Sequence, residues 1–157
     1  HTRTVNQVVV LCVDGSDTAI GAAATGLARL RPAARTIVAT VVDVGDPMMV
    51  AGVSGMAGSA MSPEQLDELT AARTADGEAI VQAALSALDL RGAETQVLVG
   101  EPATELRLFA QEVGATVLVV GSRGHGAIKR AFLGSVSDHL VRHAPCPVLV
   151  VRDDVED

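Results

Sequence analysis

Val117-Leu118-Val119-Val120-Gly121-Ser122-Arg123-Gly124, followed nine residues further on by Gly134-Ser135-Val136-Ser137, decides how the chain is read. An aliphatic, largely β-branched run enters a glycine turn, a short basic loop follows, and a second Gly-Ser opens a helix. Glycines let main-chain N–H groups approach a ligand with no Cβ in the way. The first amides of a helix, here those of Ser135 to Ser137, have no intrahelical acceptor and carry the positive end of the helix dipole. Strand, glycine loop and helix start together are the layout of an anion site. They predict an α/β fold holding a nucleotide.

On either side of this stretch the same alternation recurs. Downstream, Ser135 to Ala144 is the last helix, and Pro147 to Val151, PVLVV, is a fifth strand. Upstream, Ala115 to Val120 is the fourth strand, Pro102 to Val113 a helix with Leu106, Phe109, Ala110 and Val113 at core spacing, and Thr95 to Val99 the third strand. Pro63 starts a long helix running to about Leu90, with Glu64, Asp67 and Glu68 at the positive end of its dipole and a kink expected between Arg73 and Glu78 around Gly77. Thr36 to Val44 is the second strand. Gln7 to Val13 is the first, ended by Asp14-Gly15-Ser16. Ser16 or Asp17 caps the helix after it, with Ile20, Ala23, Ala24, Leu27 and Leu30 as its stripe and Pro32 closing it. Strands separated by helices imply right-handed crossovers and a parallel sheet.

Residues 45–62 break this pattern. They hold all four methionines among Gly, Ala, Ser and Val and a single charge, Asp46, and are read as a mobile loop, either a plain surface connection or a lid or partner-binding flap. No internal repeat or second domain is visible, so residues 1–157 are taken as one domain, with His1 set aside as an expression scar.

Composition narrows the function classes. Aromatics are 1% of a chain that is 48% hydrophobic, so the core is built from Val, Leu, Ile and Ala, as suits a parallel sheet under alanine-rich helices. A net charge of −7 argues against a nucleic-acid surface. No apolar run approaches the roughly 20 residues of a spanning helix, and no signal peptide is read, so the expectation is a soluble cytoplasmic protein. Cys12 and Cys146 are read as small buried or half-buried side chains in a reducing compartment.

In an open parallel sheet, ligands bind beyond the carboxyl ends of the strands where the strand order reverses. Asp14, Asp43, Gly100 and Gly121-Ser122 fall at those ends. A carboxylate at Asp14 suits ribose hydroxyls or an adenine amino group, while Asp-Gly-Ser is equally a helix-entry turn. Between Gly121 and His143 the chain carries a local +3, with Arg123, Lys129 and Arg130 in the loop itself, where they can face phosphates. His139 and His143, four apart on the last helix, have metal-ligand spacing but no third ligand nearby, and are read as structural.

Gly121-x2-Gly124-x9-Gly134-Ser135 resembles the nucleotide-binding signature of the universal stress protein family, in its ATP-binding branch. The flanking words VGSRGHG, LGSVS and HAPCPVLVVR agree with it, as do the opening VDGS and the strand ending VVDV. The resemblance spans nearly the whole chain. It implies a Rossmann-like, adenine nucleotide alpha hydrolase-like fold: an open five-stranded parallel sheet in order 3-2-1-4-5 with helices on both faces. It also implies that Val13 and Asp14 contact the adenosine moiety and that the backbone of Val41 recognises adenine. Val120, Gly121, Arg123 and Gly124 would form the ribose and phosphate loop, and Gly134, Ser135, Val136 and Ser137 the phosphate-binding helix start. The ligand implied is ATP, or ADP or AMP, with Mg or Mn accompanying a triphosphate.

The resemblance further implies a homodimer in which fifth strands pair antiparallel, in keeping with the uncharged edge Val148 to Val151. The function expected is that of an adenine-nucleotide-dependent regulator in stress response, working through a protein partner. No general base presents itself, so the chain is not read as an enzyme beyond slow ATP hydrolysis. The alternatives are a slow ATPase and a nucleotide-independent dimeric scaffold.

Overall fold

The computed structural model describes residues 6–44, 61–122 and 134–152. In chain order these form β1 (Val8–Cys12), α1 (Asp17–Arg29), β2 (Arg35–Val42), α2 (Pro63–Leu88), β3 (Glu94–Val99), α3 (Pro102–Val113), β4 (Val117–Gly121), α4 (Ser135–His143) and β5 (Val148–Val151). The strands make one Rossmann-like sheet in the order β3-β2-β1-β4-β5, every neighbouring pair parallel. Much of the 45–62 stretch, residues 45–60, lies outside the described residues.

β1 is the centre of the sheet because it is apolar on both faces. Val8, Val10 and Cys12 join one cluster with Leu106, Phe109 and Ala110 of α3 and Leu140 of α4. Val9, Leu11 and Val13 join another with Ala19 and Ala23 of α1 and Val81 and Ala84 of α2. Each fully buried aliphatic side chain contributes about 1.5–3 kcal/mol, and Val9, Val10 and Leu11 are all at 0% exposure. Thr116 ties the start of β4 to that of β1, its hydroxyl accepting from the Val8 N–H at 2.9 Å and donating to the Val8 carbonyl at 3.1 Å.

Two helices depart from the expected pattern. In α1 the buried face is Ala19, Ala22, Ala23 and Gly26, while Ile20, Leu27 and Leu30 pack at its margins and Ala24 is exposed. Small residues face the sheet because the helix lies so close that a Cβ on Gly26 would stand 2.5 Å from Val119 Cγ1. α2 runs as one unbroken helix through the Arg73–Glu78 stretch where a kink was expected. Gly77 lies buried against the sheet, and a Cβ there would stand 2.6 Å from Val97 Cγ1. The glycine permits close packing.

Candidate functional site

A cavity of about 400 Å³ opens beyond the carboxyl ends of β1, β2 and β4, on the face covered by α3 and α4. Nine of the eleven positions expected to hold a ligand are in its wall: Val13, Asp14, Val41, Val120, Gly121, Gly134, Ser135, Val136 and Ser137. The other two, Arg123 and Gly124, lie outside the described residues, as do Lys129 and Arg130. Asp43 follows the end of β2, is exposed, and takes no part in the wall, and neither does Gly100.

Each element delivers its part for a local reason. β1 ends at Cys12, and the chain turns through Gly15 at φ 88°, a left-handed conformation that a side chain would strain. Inside the turn, Asp14 Oδ1 accepts from both the N–H and the hydroxyl of Ser16. The Ser16 oxygen accepts from the Ala19 N–H at 3.2 Å, so Ser16 is the cap of α1 and Asp14 is held one step back, half-buried in the cavity wall.

β2 outruns β1. The Val13 N–H reaches the Ala39 carbonyl at 2.9 Å as the last bond between them, while the Val42 carbonyl accepts from Gly100 on the β3 side. Main-chain groups alternate sides along a strand, so the N–H and C=O of Val41 point the same way as those of Ala39. Beyond the end of β1, that direction is into the cavity.

The opposite end of the site is the start of α4. Ser16, Ser62 and Glu101 each cap their own helices with side-chain oxygens, but α4 begins at Gly134 with no side-chain cap. Its first amides, on Ser135, Val136 and Ser137, have no intrahelical acceptor and lie in the cavity wall, where they concentrate the helix dipole. Gly134 is pinned, donating its N–H to the Ser122 carbonyl at 2.7 Å, while Ser122 donates to the Val151 carbonyl at 2.9 Å.

The floor went unread in the sequence. Cys12 and Ala39 are paired in register, and Leu106 and Pro102 of α3 close over them. These are ordinary core residues by type. The one signal that picks out Ala39 is its position two before Val41 on the same face of β2. The result is an apolar slot leading to a row of main-chain donors, the wall composition that accepts a flat base at one end and an anion at the other.

Burial, with Cys146 adding to it, pushes the Cys12 thiol up to about 12, so it stays protonated and serves as wall. Cys146 is also raised by burial, and both cysteines are free. His139 and His143 lie with ring centroids 4.7 Å apart and planes tilted by 50°, and the Nε2 of His139 is buried with no hydrogen-bond partner among the described residues. Among the described residues no group of three or more His, Cys, Asp or Glu could hold a metal ion. A second cavity of about 210 Å³, between the Gly15 turn and α2, has no polar side chain in its wall. No described helix is long and apolar enough to cross a membrane.

Residues 6–152 match the universal stress protein family. Over 149 residues the chain is 36% identical to universal stress protein YxiE of Bacillus subtilis (strain 168), covering 92% of this chain and 97% of YxiE. Among solved structures, the universal stress protein UspA from Lactobacillus plantarum superposes with a TM-score of 0.70 at 23% identity, covering 96% of this chain and 100% of UspA. A universal stress protein crystallised in complex with cAMP superposes with a TM-score of 0.58 at 27% identity, covering 92% of this chain and 96% of that one.

Proposed function

Because this chain belongs to the universal stress protein family, we propose that it binds an adenine nucleotide, ATP foremost, and acts as a nucleotide-dependent regulator in the stress response of the cytoplasm. The observation that carries this reading is the uncapped start of α4 facing the same cavity as the main chain of Val41. The α4 amides supply donors for phosphate oxygens. Val41 supplies one donor and one acceptor for a base edge, and the Cys12–Ala39 floor takes the base itself.

Adenine offers an amino donor beside a ring-nitrogen acceptor, and guanine offers the same two positions with donor and acceptor exchanged. A fixed main-chain pair fits one order and leaves the other with buried groups unpaired. Asp14, in the cavity wall, would accept from ribose, and Arg123 and Gly124 would complete the phosphate loop. The Mg or Mn expected with a triphosphate would be carried by the phosphate oxygens, since the described residues offer no cluster of ligands for it. The reading is of a binding protein, with slow hydrolysis at most.

β5 supports the homodimer. The carbonyls of Pro147 and Val151 face β4, accepting from Leu118 and Ser122, so the alternate residues Val148 and Val150 turn their N–H and C=O outward. Antiparallel pairing of two copies would set Val148 of one against Val150 of the other.

The test is to denature the purified protein and identify what it carried, then titrate it with ATP and GTP by calorimetry. Bound ATP or ADP, and a preference for ATP of about tenfold or more, is the expected result. Gly134→Val, which sets a side chain across the α4 amides, should abolish binding. An empty site that stays empty with added ATP overturns the reading in favour of a scaffold. Turnover on the order of 1 s⁻¹ or faster moves it to an enzyme.

A further inference from the structure

One residue joins the candidate site to the open edge of the sheet. Ser122, 8% exposed, gives its N–H to the carbonyl of Val151, the last residue of β5, and its carbonyl takes the N–H of Gly134. Gly134 is the first residue of the ligand-facing helix end, its own carbonyl accepting from the Asp138 N–H at 2.9 Å and the Ser137 hydroxyl at 3.0 Å. Two consecutive main-chain hydrogen bonds therefore run from the edge strand to the start of α4. Val148 and Val150 of β5 also share an apolar cluster with Val136 and Leu140 of α4.

We infer that nucleotide occupancy and self-association through β5 are thermodynamically linked, with Ser122 as the bridge. The inference rests on the reading of the cavity as a nucleotide site and of β5 as the pairing edge. β5 has four residues, so release of Val151 from Ser122 shortens an already short edge by one of them. A nucleotide held by the α4 amides fixes Gly134, which fixes Ser122, which keeps Val151 in strand geometry. Pairing of β5 with a second copy does the same from the other end. Each event performs part of the ordering that the other needs, which is positive coupling, and coupling of binding free energies is reciprocal.

The experiment measures both affinities on the full chain. The dimer Kd is determined by sedimentation equilibrium without nucleotide and with saturating ATP. The ATP Kd is determined at protein concentrations below and above the dimer Kd. The expected result is a dimer about tenfold tighter with saturating ATP, and an ATP affinity raised about threefold at each of the dimer's two sites, the square root of the first factor because two ATP bind per dimer. Val150→Pro supplies a second arm. It removes an outward N–H while leaving the bonds to β4 intact, and proline is tolerated on an edge of that kind. This variant should be monomeric and bind ATP with the weaker, concentration-independent Kd.

Dimer and ATP affinities that are both measurable but independent of one another overturn the linkage and leave the site intact. So does a Val150→Pro monomer that binds ATP as tightly as the wild-type dimer. A chain that binds ATP yet stays monomeric at every concentration overturns the linkage through its edge. Failure to bind ATP at all sinks the nucleotide reading together with it, and the calorimetry separates that case from the others.

Discussion

Ala39 illustrates how a residue with no chemistry of its own shapes a site. It is at 0% exposure, paired with Cys12, and forms the floor on which a base would lie. A larger side chain there has one place to go, which is the cavity. Ala39→Leu is therefore expected to weaken ATP binding by tenfold or more while costing little stability, because the added carbons fill space instead of displacing neighbours. Calorimetry paired with a thermal melt checks this. A melting temperature that collapses along with binding would show that Ala39 is packed as tightly as any other core residue. The polar half of the site was legible in the sequence because glycines, an aspartate and a helix-opening serine are unusual after apolar runs. The apolar half was not. Cys12, Ala39, Pro102 and Leu106 look like any buried residues until the fold sets their side chains around one space.

Among the elements, α2 and α3 show how local signals were read and misread. Gly77 sits mid-helix, where sequence allows either a weak point or a close approach, and only the neighbouring β3 decides between them. A Cβ at 2.6 Å from Val97 and 2.9 Å from Val42 costs more than the roughly 1 kcal/mol that alanine gains in helix propensity. Gly77→Ala should thus destabilise by about 1–3 kcal/mol in urea melts, whereas a kinked or loosely packed helix would be stabilised by it. α3 is capped by Glu101, whose carboxylate accepts from the Ala103 and Thr104 N–H groups at 3.2 and 2.8 Å. The Thr104 side chain, followed by those amides, holds the carboxyl below its ordinary value. A depressed carboxyl contributes stability above its unfolded value and loses it as pH falls through the folded one. Glu101→Ala should accordingly cost about 1 kcal/mol at pH 7, as loss of a helix cap does, and progressively less as pH drops below the usual carboxylate range. A deficit that stays constant down to pH 3 would show that the ionised cap is not its source. Strand and helix positions were otherwise legible to within a few residues, because a run apolar on both faces leaves little choice.

At the scale of the whole molecule the sheet has two edges, and they differ in chemistry. β3 begins with Glu94 held bidentately by Arg35 at 2.8 Å and continues through Thr95 and Gln96, so its open side is guarded by charge and polarity. β5 carries Val148-Leu149-Val150-Val151, four apolar residues that are each half-buried in one copy of the chain. Edges with charged side chains resist pairing and bare apolar edges invite it, which favours association through β5 alone. A symmetric pair of lysines tests this directly. Gln96→Lys adds a charge to the β3 edge, where the side chain is exposed, and should leave the sedimentation behaviour of the protein unchanged. Val150→Lys sets a charge in each of two facing strands and should abolish the proposed dimer at concentrations where the wild type is expected to pair, with circular dichroism confirming that the sheet persists. Dissociation by the β3 substitution instead would move the interface to the opposite end of the sheet, away from Ser122, and with it remove the physical route by which the cavity and the interface communicate.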